Sequence, residues 1–268
     1  MLKITSRDNQ KLKFARKVRD GFEKDAVFVE GLRLAEEAVR SELNISDILF
    51  TEKFSQTESG KLFLHEGETK NINLFEVSER IFDSIADTKN SQGIILICEK
   101  PETGKIIIEK NLPAKLQNFP LLILLHQTNN PSNLGAILRT AEAVNVSGTI
   151  LTKNTADVFS PKALRGAMGA SFRLSMWTNA DFSEVLDWAK EKNLVSICAD
   201  VKAEKSYLKV DWHQPRLLIF GSEAHGLSTE ERSAIDEGLS VPMENGVESL
   251  NLAVSCGVIL FEAKRQFQ

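Results

Sequence analysis

Three polar clusters in the second half of the chain hold the residues best suited to chemistry. The first runs from Asn129 to Ala141 and contains Asn133, Gly135, Arg139 and Thr140. The second, Gly221–Leu227, contains Glu223, His225 and Gly226. The third, Val241–Ala253, contains Met243, Gly246, Ser249, Leu250 and Asn251. Each lies just beyond an apolar run that reads as a strand. In an open parallel sheet, ligands bind outside the carboxyl ends of the strands. Taken alone, any one cluster reads as a turn with a helix cap. Three on one edge, each mixing Gly with Asn, Ser, Glu or Arg, point to a ligand pocket.

Other chemistries find no support. The sequence contains no GxGxxG, GxxxxGK[ST], HExxH or GxSxG pattern, so a dinucleotide loop, a P-loop, a zinc-protease helix and a nucleophile elbow are all disfavoured. His65, His126, His213 and His225 lack metal-ligand spacing, and no metal is expected. Cys98, Cys198 and Cys256 are odd in number and far apart, which argues against disulfides and a zinc site.

The elements that must position the clusters alternate between strand and helix. In the second half, Leu121–Leu125, Thr149–Leu151, Leu194–Ala199 and Leu217–Phe220 read as buried parallel strands. Helices are expected over Leu134–Val144, after Pro161, from Asp181 and from Leu252 to Gln266, and Ser228 with Glu231 forms a capping box. The last helix is apolar around much of its circumference and needs cover on several sides. In the first half, strands are expected at Ala26–Val29, Ile45–Phe50, Asn73–Val77 and Gly93–Cys98, with helices after Asn9, over Leu32–Val39 and after Ser78. These spacings predict an α/β chain with a small domain over 1–100, a Lys-rich linker over 101–119 and a parallel-sheet domain over 120–268.

The chain has 268 residues and a net charge of −4, with 42% hydrophobic and 26% charged residues. This is a globular composition, and it excludes a uniformly basic nucleic-acid coat. Locally the picture differs. Residues 1–20 carry seven basic and two acidic side chains, including Lys11, Lys13, Arg16 and Lys17. On charge alone that run reads as a solvated helix face. The longest apolar runs are too short to span a bilayer, and no apolar segment follows Lys3 and Arg7. A soluble, cytoplasmic protein is expected, without membrane contact.

Together the clusters resemble the three motifs of the SpoU (TrmH-like) family of SPOUT methyltransferases. The first resembles Asn-x-Gly-Ala-x-x-Arg-Thr-Ala, at Asn133, Gly135, Ala136, Arg139, Thr140 and Ala141. The second matches Gly-x-Glu-x-x-Gly-Leu, at Gly221, Glu223, Gly226 and Leu227. The third matches Pro-Met…Gly-x-x-x-Ser-Leu-Asn, at Pro242, Met243, Gly246, Ser249, Leu250 and Asn251. Ile4-Thr5-Ser6, Asn9, Leu12-Lys13 and Phe28-Val29-Glu30-Gly31 resemble the substrate-binding domain that precedes many SpoU catalytic domains. Two departures stand out: Asn130 where Asp is frequent, and Asn145 where Gly is usual.

The resemblance implies transfer of a methyl group from S-adenosylmethionine to a ribose 2′-hydroxyl of RNA, ribosomal RNA slightly preferred over transfer RNA. It also implies a deep trefoil knot in the parallel-sheet domain, an N-terminal RNA-binding domain of ribosomal-protein-like fold, and a homodimer. The cofactor is expected against Gly221, Val241, Met243 and Leu250, with Arg139, Asn133, Glu223, Ser249 and Asn251 catalytic. The resemblance turns the basic run toward RNA through Lys11, Lys13, Arg16 and Lys17. Arg139 is described in the family as the base. A free guanidinium is a poor base, so phosphate holding and stabilisation of the developing 2′-oxyanion are favoured, with base action left open. The competing reading is a non-catalytic RNA-binding protein on the same scaffold. A dinucleotide-dependent enzyme fails for want of a glycine-rich phosphate loop.

Overall fold

The computed structural model describes residues 2–267, apart from the side chain of Asn111. The chain begins with β1 (Leu2–Ile4), α1 (Gln10–Arg19), β2 (Ala26–Glu30), α2 (Leu32–Arg40) and β3 (Ile45–Phe50). It continues with α3 (Glu52–Gln56), α4 (Glu58–Thr69), β4 (Asn73–Val77), α5 (Glu79–Phe82) and β5 (Ile94–Glu99). Next come α6 (Lys105–Asn118), β6 (Leu121–Leu125), α7 (Pro131–Val144), β7 (Gly148–Thr152), α8 (Pro161–Ala167) and α9 (Ala170–Arg173). The last part holds β8 (Met176–Ala180), α10 (Phe182–Glu191), β9 (Val195–Ala199), β10 (Arg216–Phe220), α11 (Thr229–Ser233), β11 (Glu237–Leu239) and α12 (Leu252–Gln266).

These elements fall into two compact units. The first comprises residues 1–101 together with 159–172. Its five-stranded sheet has the order β1-β4-β3-β5-β2, with β5 antiparallel to both neighbours. Leu12, Ala15 and Val18 of α1 recur at helical spacing and pack with Phe28, Leu49, Phe75 and Ile95 of the sheet. Asn9 caps this helix, its side chain accepting the Lys11 N–H at 2.8 Å. The inserted α8 buries Ala163, Leu164 and Ala167 within this unit.

The second unit carries a six-stranded sheet of order β11-β9-β10-β6-β7-β8, every pairing parallel. Its central strands β6 and β10 are buried along their whole length, as expected of a sheet covered on both faces. Leu122, Leu124, Leu217 and Ile219 pack with Ile108 and Leu112 of α6 and with Val185, Leu186 and Trp188 of α10. Helices α7 and α12 pack against each other, with Gly257 facing Thr140. Asn145 ends α7 in the left-handed conformation, φ 62°, as its position after the helix requires.

The segment expected to be a linker, 101–119, is instead largely α6. Lys110 is exposed and Lys115 reaches Ser175 Oγ at 2.9 Å, while Ile108 and Leu112 are buried. Pro113 and the charged composition masked the apolar pair. Among the described residues, no helix is long and apolar enough to cross a membrane.

Candidate active site

The order β11-β9-β10-β6 sets four strand ends side by side. Leu125 pairs in register with Phe220, and Ala199 with Leu239. The segments leaving these ends include all three polar clusters and enclose a cavity of about 590 Å³. Phe220, Leu227, Leu239, Leu250 and Ile259 give it an apolar lining. Asn133, Lys202, Glu223, His225, Ser249 and Asn251 add polar groups.

A hydrogen-bonded chain ties the clusters together. Glu223 Oε2 accepts the Asn129 N–H at 3.0 Å, and its Oε1 accepts from Asn133 Nδ2 at 3.1 Å. Asn133 Oδ1 in turn accepts from Asn251 Nδ2 at 3.1 Å. Asn251 Oδ1 accepts the Ala253 and Val254 N–H groups at 2.9 and 3.4 Å and so caps α12. Because a carboxylate only accepts, Glu223 fixes which way the Asn133 amide points.

Capping explains one asparagine and not the other. Asn133 stands inside α7, whose N-cap is Asn130, with Oδ1 accepting the Ser132 N–H at 2.9 Å. The Asn133 side chain is therefore available to the cavity. Ser249 also lines the cavity and does not cap α12; its hydroxyl makes no hydrogen bond with another described residue.

Arg139 stands apart from the other expected catalytic residues because it does not line the cavity. It lies six residues beyond Asn133 on α7, about 9 Å along the helix axis. It is exposed, and its guanidinium has no ion-pair or hydrogen-bond partner among the described residues.

All four expected cofactor residues, Gly221, Val241, Met243 and Leu250, line the cavity. Glycine at 221 is required by the turn itself. A Cβ there would lie 2.5 Å from the Gly226 carbonyl carbon and 2.8 Å from the Leu227 nitrogen, so the turn's own backbone excludes it. In the third cluster, Asn245 and Gly246 have φ of 57° and 71°, the consecutive left-handed pair of a tight turn.

The segment after β9 lines the cavity too, and motif reading missed it. Asp200 Oδ1 accepts the Lys202 N–H at 2.8 Å, and Asp200 Oδ2 pairs with Arg232 Nη1 at 3.0 Å. Arg232 also donates to the Cys198 sulfur, whose thiol burial pushes above its ordinary range. The strand-end rule that marked the other clusters applies equally to Asp200, directly after the apolar run ending at Ala199.

The basic residues of the first unit are more engaged than their exposure in sequence suggests. Lys11 Nζ lies 2.8 Å from Asp47 Oδ1, and Asp47 is buried on β3. Arg16 donates to the Arg7 carbonyl at 3.2 Å and to Ser84 Oγ at 3.1 Å. Lys13 and Lys17 are exposed, with loose pairs to Asp8 at 3.6 Å and Glu23 at 3.7 Å. The charge of Lys11 thus serves the unit's interior.

Comparison with known proteins places these features. Residues 8–96 match the MRM3-like substrate binding domain. Bacillus subtilis 23S rRNA (guanosine(2553)-2'-O)-methyltransferase RlmP is 26% identical, over 98% of this chain and 100% of its own length. The crystal structure of an rRNA methyltransferase from Sinorhizobium meliloti superposes with a TM-score of 0.82 at 25% identity, covering 98% of this chain and 97% of that one. An AdoMet-bound rRNA methyltransferase structure from the same organism shares the fold, with a TM-score of 0.83 at 24% identity over 98% and 97% of the two chains. Residues 120–261, more than half of the sequence, match the SpoU rRNA methylase family, and the chain belongs to that family.

Proposed function

We propose that the protein is an S-adenosylmethionine-dependent RNA methyltransferase acting on a ribose 2′-hydroxyl, with ribosomal RNA preferred over transfer RNA. The observation that carries this reading is the Glu223–Asn133–Asn251 chain on the wall of the cavity. The cavity volume suits a nucleoside with a short tail, and its apolar lining beside a few oriented amides suits a purine base and its polar substituents.

Bound S-adenosylmethionine supplies a methyl group activated by its sulfonium. Val241, Met243 and Leu250, with the backbone at Gly221, hold it against the apolar lining. Asn133 and Asn251 orient the target ribose, and Glu223 fixes Asn133. Ser249 offers a free hydroxyl to the substrate. Arg139 reaches RNA from outside the cavity, where its unpaired guanidinium meets a phosphate and stabilises charge developing on the 2′-oxygen. No metal is needed, because alignment and electrostatics carry such a displacement.

Three further parts belong to the same proposal. The chain after β10 forms a trefoil knot, a reading supported by β10 entering between β6 and β9. Two copies pair through α12, where Val254 and Phe261 are exposed. The protein works in the cytoplasm, a reading supported by its similarity to a bacterial 23S rRNA methyltransferase. Lys13, Lys17 and Arg16 on α1 face that RNA, and the matched substrate-binding domain supports this.

The test is methylation of RNA from a strain lacking this gene. Purified protein with methyl-tritiated S-adenosylmethionine should label ribosomal RNA, and a ribose-methylation map should show a position restored. RNA binding without cofactor binding or label would establish the non-catalytic alternative.

A further inference from the structure

The turn that carries the chain from β6 into α7 delivers Asn129 and Asn133 to the cavity, and it is strained. Gln127 takes φ 52°, in the left-handed region that a residue with a long side chain seldom adopts. Such strain persists only where the surroundings hold it. Here the Gln127 N–H donates to Thr152 Oγ1 at 3.2 Å, and the Thr128 carbonyl accepts the Ala156 N–H at 2.9 Å.

Given the proposed reaction, on which the assignment rests, we infer that His126 is a positioning residue for methyl transfer. Through Thr152 it holds the strained turn, and so places Asn129 and Asn133 against Glu223. His126 is buried just beyond β6, where its backbone N–H donates to the Phe220 carbonyl at 2.8 Å. Its ring packs edge-on against Phe182, with 4.7 Å between centroids. Nε2 lies 3.0 Å from Glu231 Oε1, and Nδ1 lies 3.1 Å from Thr152 Oγ1.

These contacts order the hydrogens. A carboxylate only accepts, so Nε2 carries the hydrogen facing Glu231. In the neutral imidazole, Nδ1 is then the acceptor facing Thr152. The Thr152 hydroxyl, otherwise free to rotate, donates to Nδ1 and turns a lone pair toward the Gln127 N–H. Glu231 is itself fixed, its Oε2 accepting the Ser228 N–H at 2.8 Å within the capping box of α11. The series Gln127, Thr152, His126, Glu231 thus runs in one direction with each donor matched. A buried polar network satisfied in this way rigidifies the backbone it holds.

The effect reaches the site within two residues. Asn129 donates its N–H to Glu223 Oε2 at 3.0 Å, and Glu223 Oε1 accepts from Asn133 at 3.1 Å. A relaxed Gln127 would move both donors, and a misplacement of about 1 Å can cost about 100-fold in rate. The proposed cofactor residues Gly221, Val241, Met243 and Leu250 lie on the segments after β10 and β11. The loss therefore falls on transfer, not on cofactor binding.

Amide hydrogen exchange, with single-turnover methylation of deletion-strain ribosomal RNA at saturating cofactor and RNA, tests this. Thr152→Val removes the hydroxyl, and His126→Leu removes the imidazole. Both should lower the rate about 100-fold with cofactor affinity unchanged. Exchange at the Gln127 and Asn129 amides should quicken about tenfold in each. Thr152→Ser keeps the hydroxyl, and His126→Asn puts an amide oxygen in the place of Nδ1, so both should return rate and exchange toward wild type. Folded Thr152→Val transferring at the wild-type rate overturns the assignment, and it is the result expected of a network that only stabilises the fold. Thr152→Ser as slow as Thr152→Val also overturns it, as does cofactor affinity falling in step with rate. If His126→Leu does not fold, the two Thr152 variants decide. A wild-type protein that labels no RNA refutes the proposed function itself, whereas unchanged exchange in Thr152→Val refutes the hold on the turn alone.

Discussion

Asn133 and Arg139 show how differently one helix can employ two side chains. Asn133 is locked between Glu223 and Asn251, whereas Arg139 is unpaired and outside the cavity. Arg139→Ala should therefore abolish methyl transfer while changing cofactor affinity by less than about tenfold, roughly 1.4 kcal/mol. Calorimetry with S-adenosylmethionine and a tritiated-methyl assay on RNA check the two halves separately. At this scale the motif residues are legible because their types and spacing are unusual. The Lys11 pairing is not, since its partner Asp47 lies 36 positions away and reads as an ordinary strand-face polar residue. Removing Lys11 would strand a buried carboxylate, so charge changes aimed at RNA binding belong at Lys13 and Lys17.

Elements carry the site through their ends. Asn251 both caps α12 and bonds Asn133, so helix start and cavity wall are set by one side chain. At the sheet edge, Ser196 of β9 donates from its hydroxyl and its backbone to Asp236, at 2.6 and 2.9 Å, just before β11. Those bonds hold the Asp236 carboxyl below its ordinary range despite partial burial. A carboxyl depressed by folding stabilises above its unfolded value, about pH 4, and the gain is lost as pH falls through the folded value. Asp236→Asn should thus be less stable than wild type at about pH 7. The difference should narrow steadily between about pH 4 and pH 2 in urea unfolding. Strands such as Ile45–Phe50 and Asn73–Val77 are legible as apolar runs bounded by turns. Helices α4 and α6 are not, because short apolar sets inside polar stretches leave little periodic signal.

At the scale of the molecule, chain order and spatial grouping part company. Residues 159–172 belong with the first unit although they lie in the middle of the second half of the sequence. A fragment beginning near residue 100 would leave the buried face of α8 without its cover, so the two units are not separable by one cut. Nothing local in the sequence marks this, because the contact is with β2, far earlier in the chain. The final helix divides in the same way: Leu260 is fully buried and Phe261 is exposed. Leu260→Lys should bury an unpaired charge and unfold the protein, at a cost of several kcal/mol. Phe261→Lys should keep the fold and convert the proposed dimer to a monomer in sedimentation velocity.

The stretch from Val241 to Asn251 joins β11 to α12 without regular structure, and it exposes Glu244 and Glu248. Open chain of this kind is where proteases cut first. An endoproteinase specific for glutamate should therefore nick the free protein there, releasing α12 as a small fragment. Val241, Met243, Ser249 and Leu250 of the same stretch line the cavity, so a ligand seated there restrains the scissile bonds. S-adenosylmethionine should slow that cleavage several-fold in a concentration-dependent way, which gives cofactor occupancy a readout on a gel that needs no RNA and no turnover.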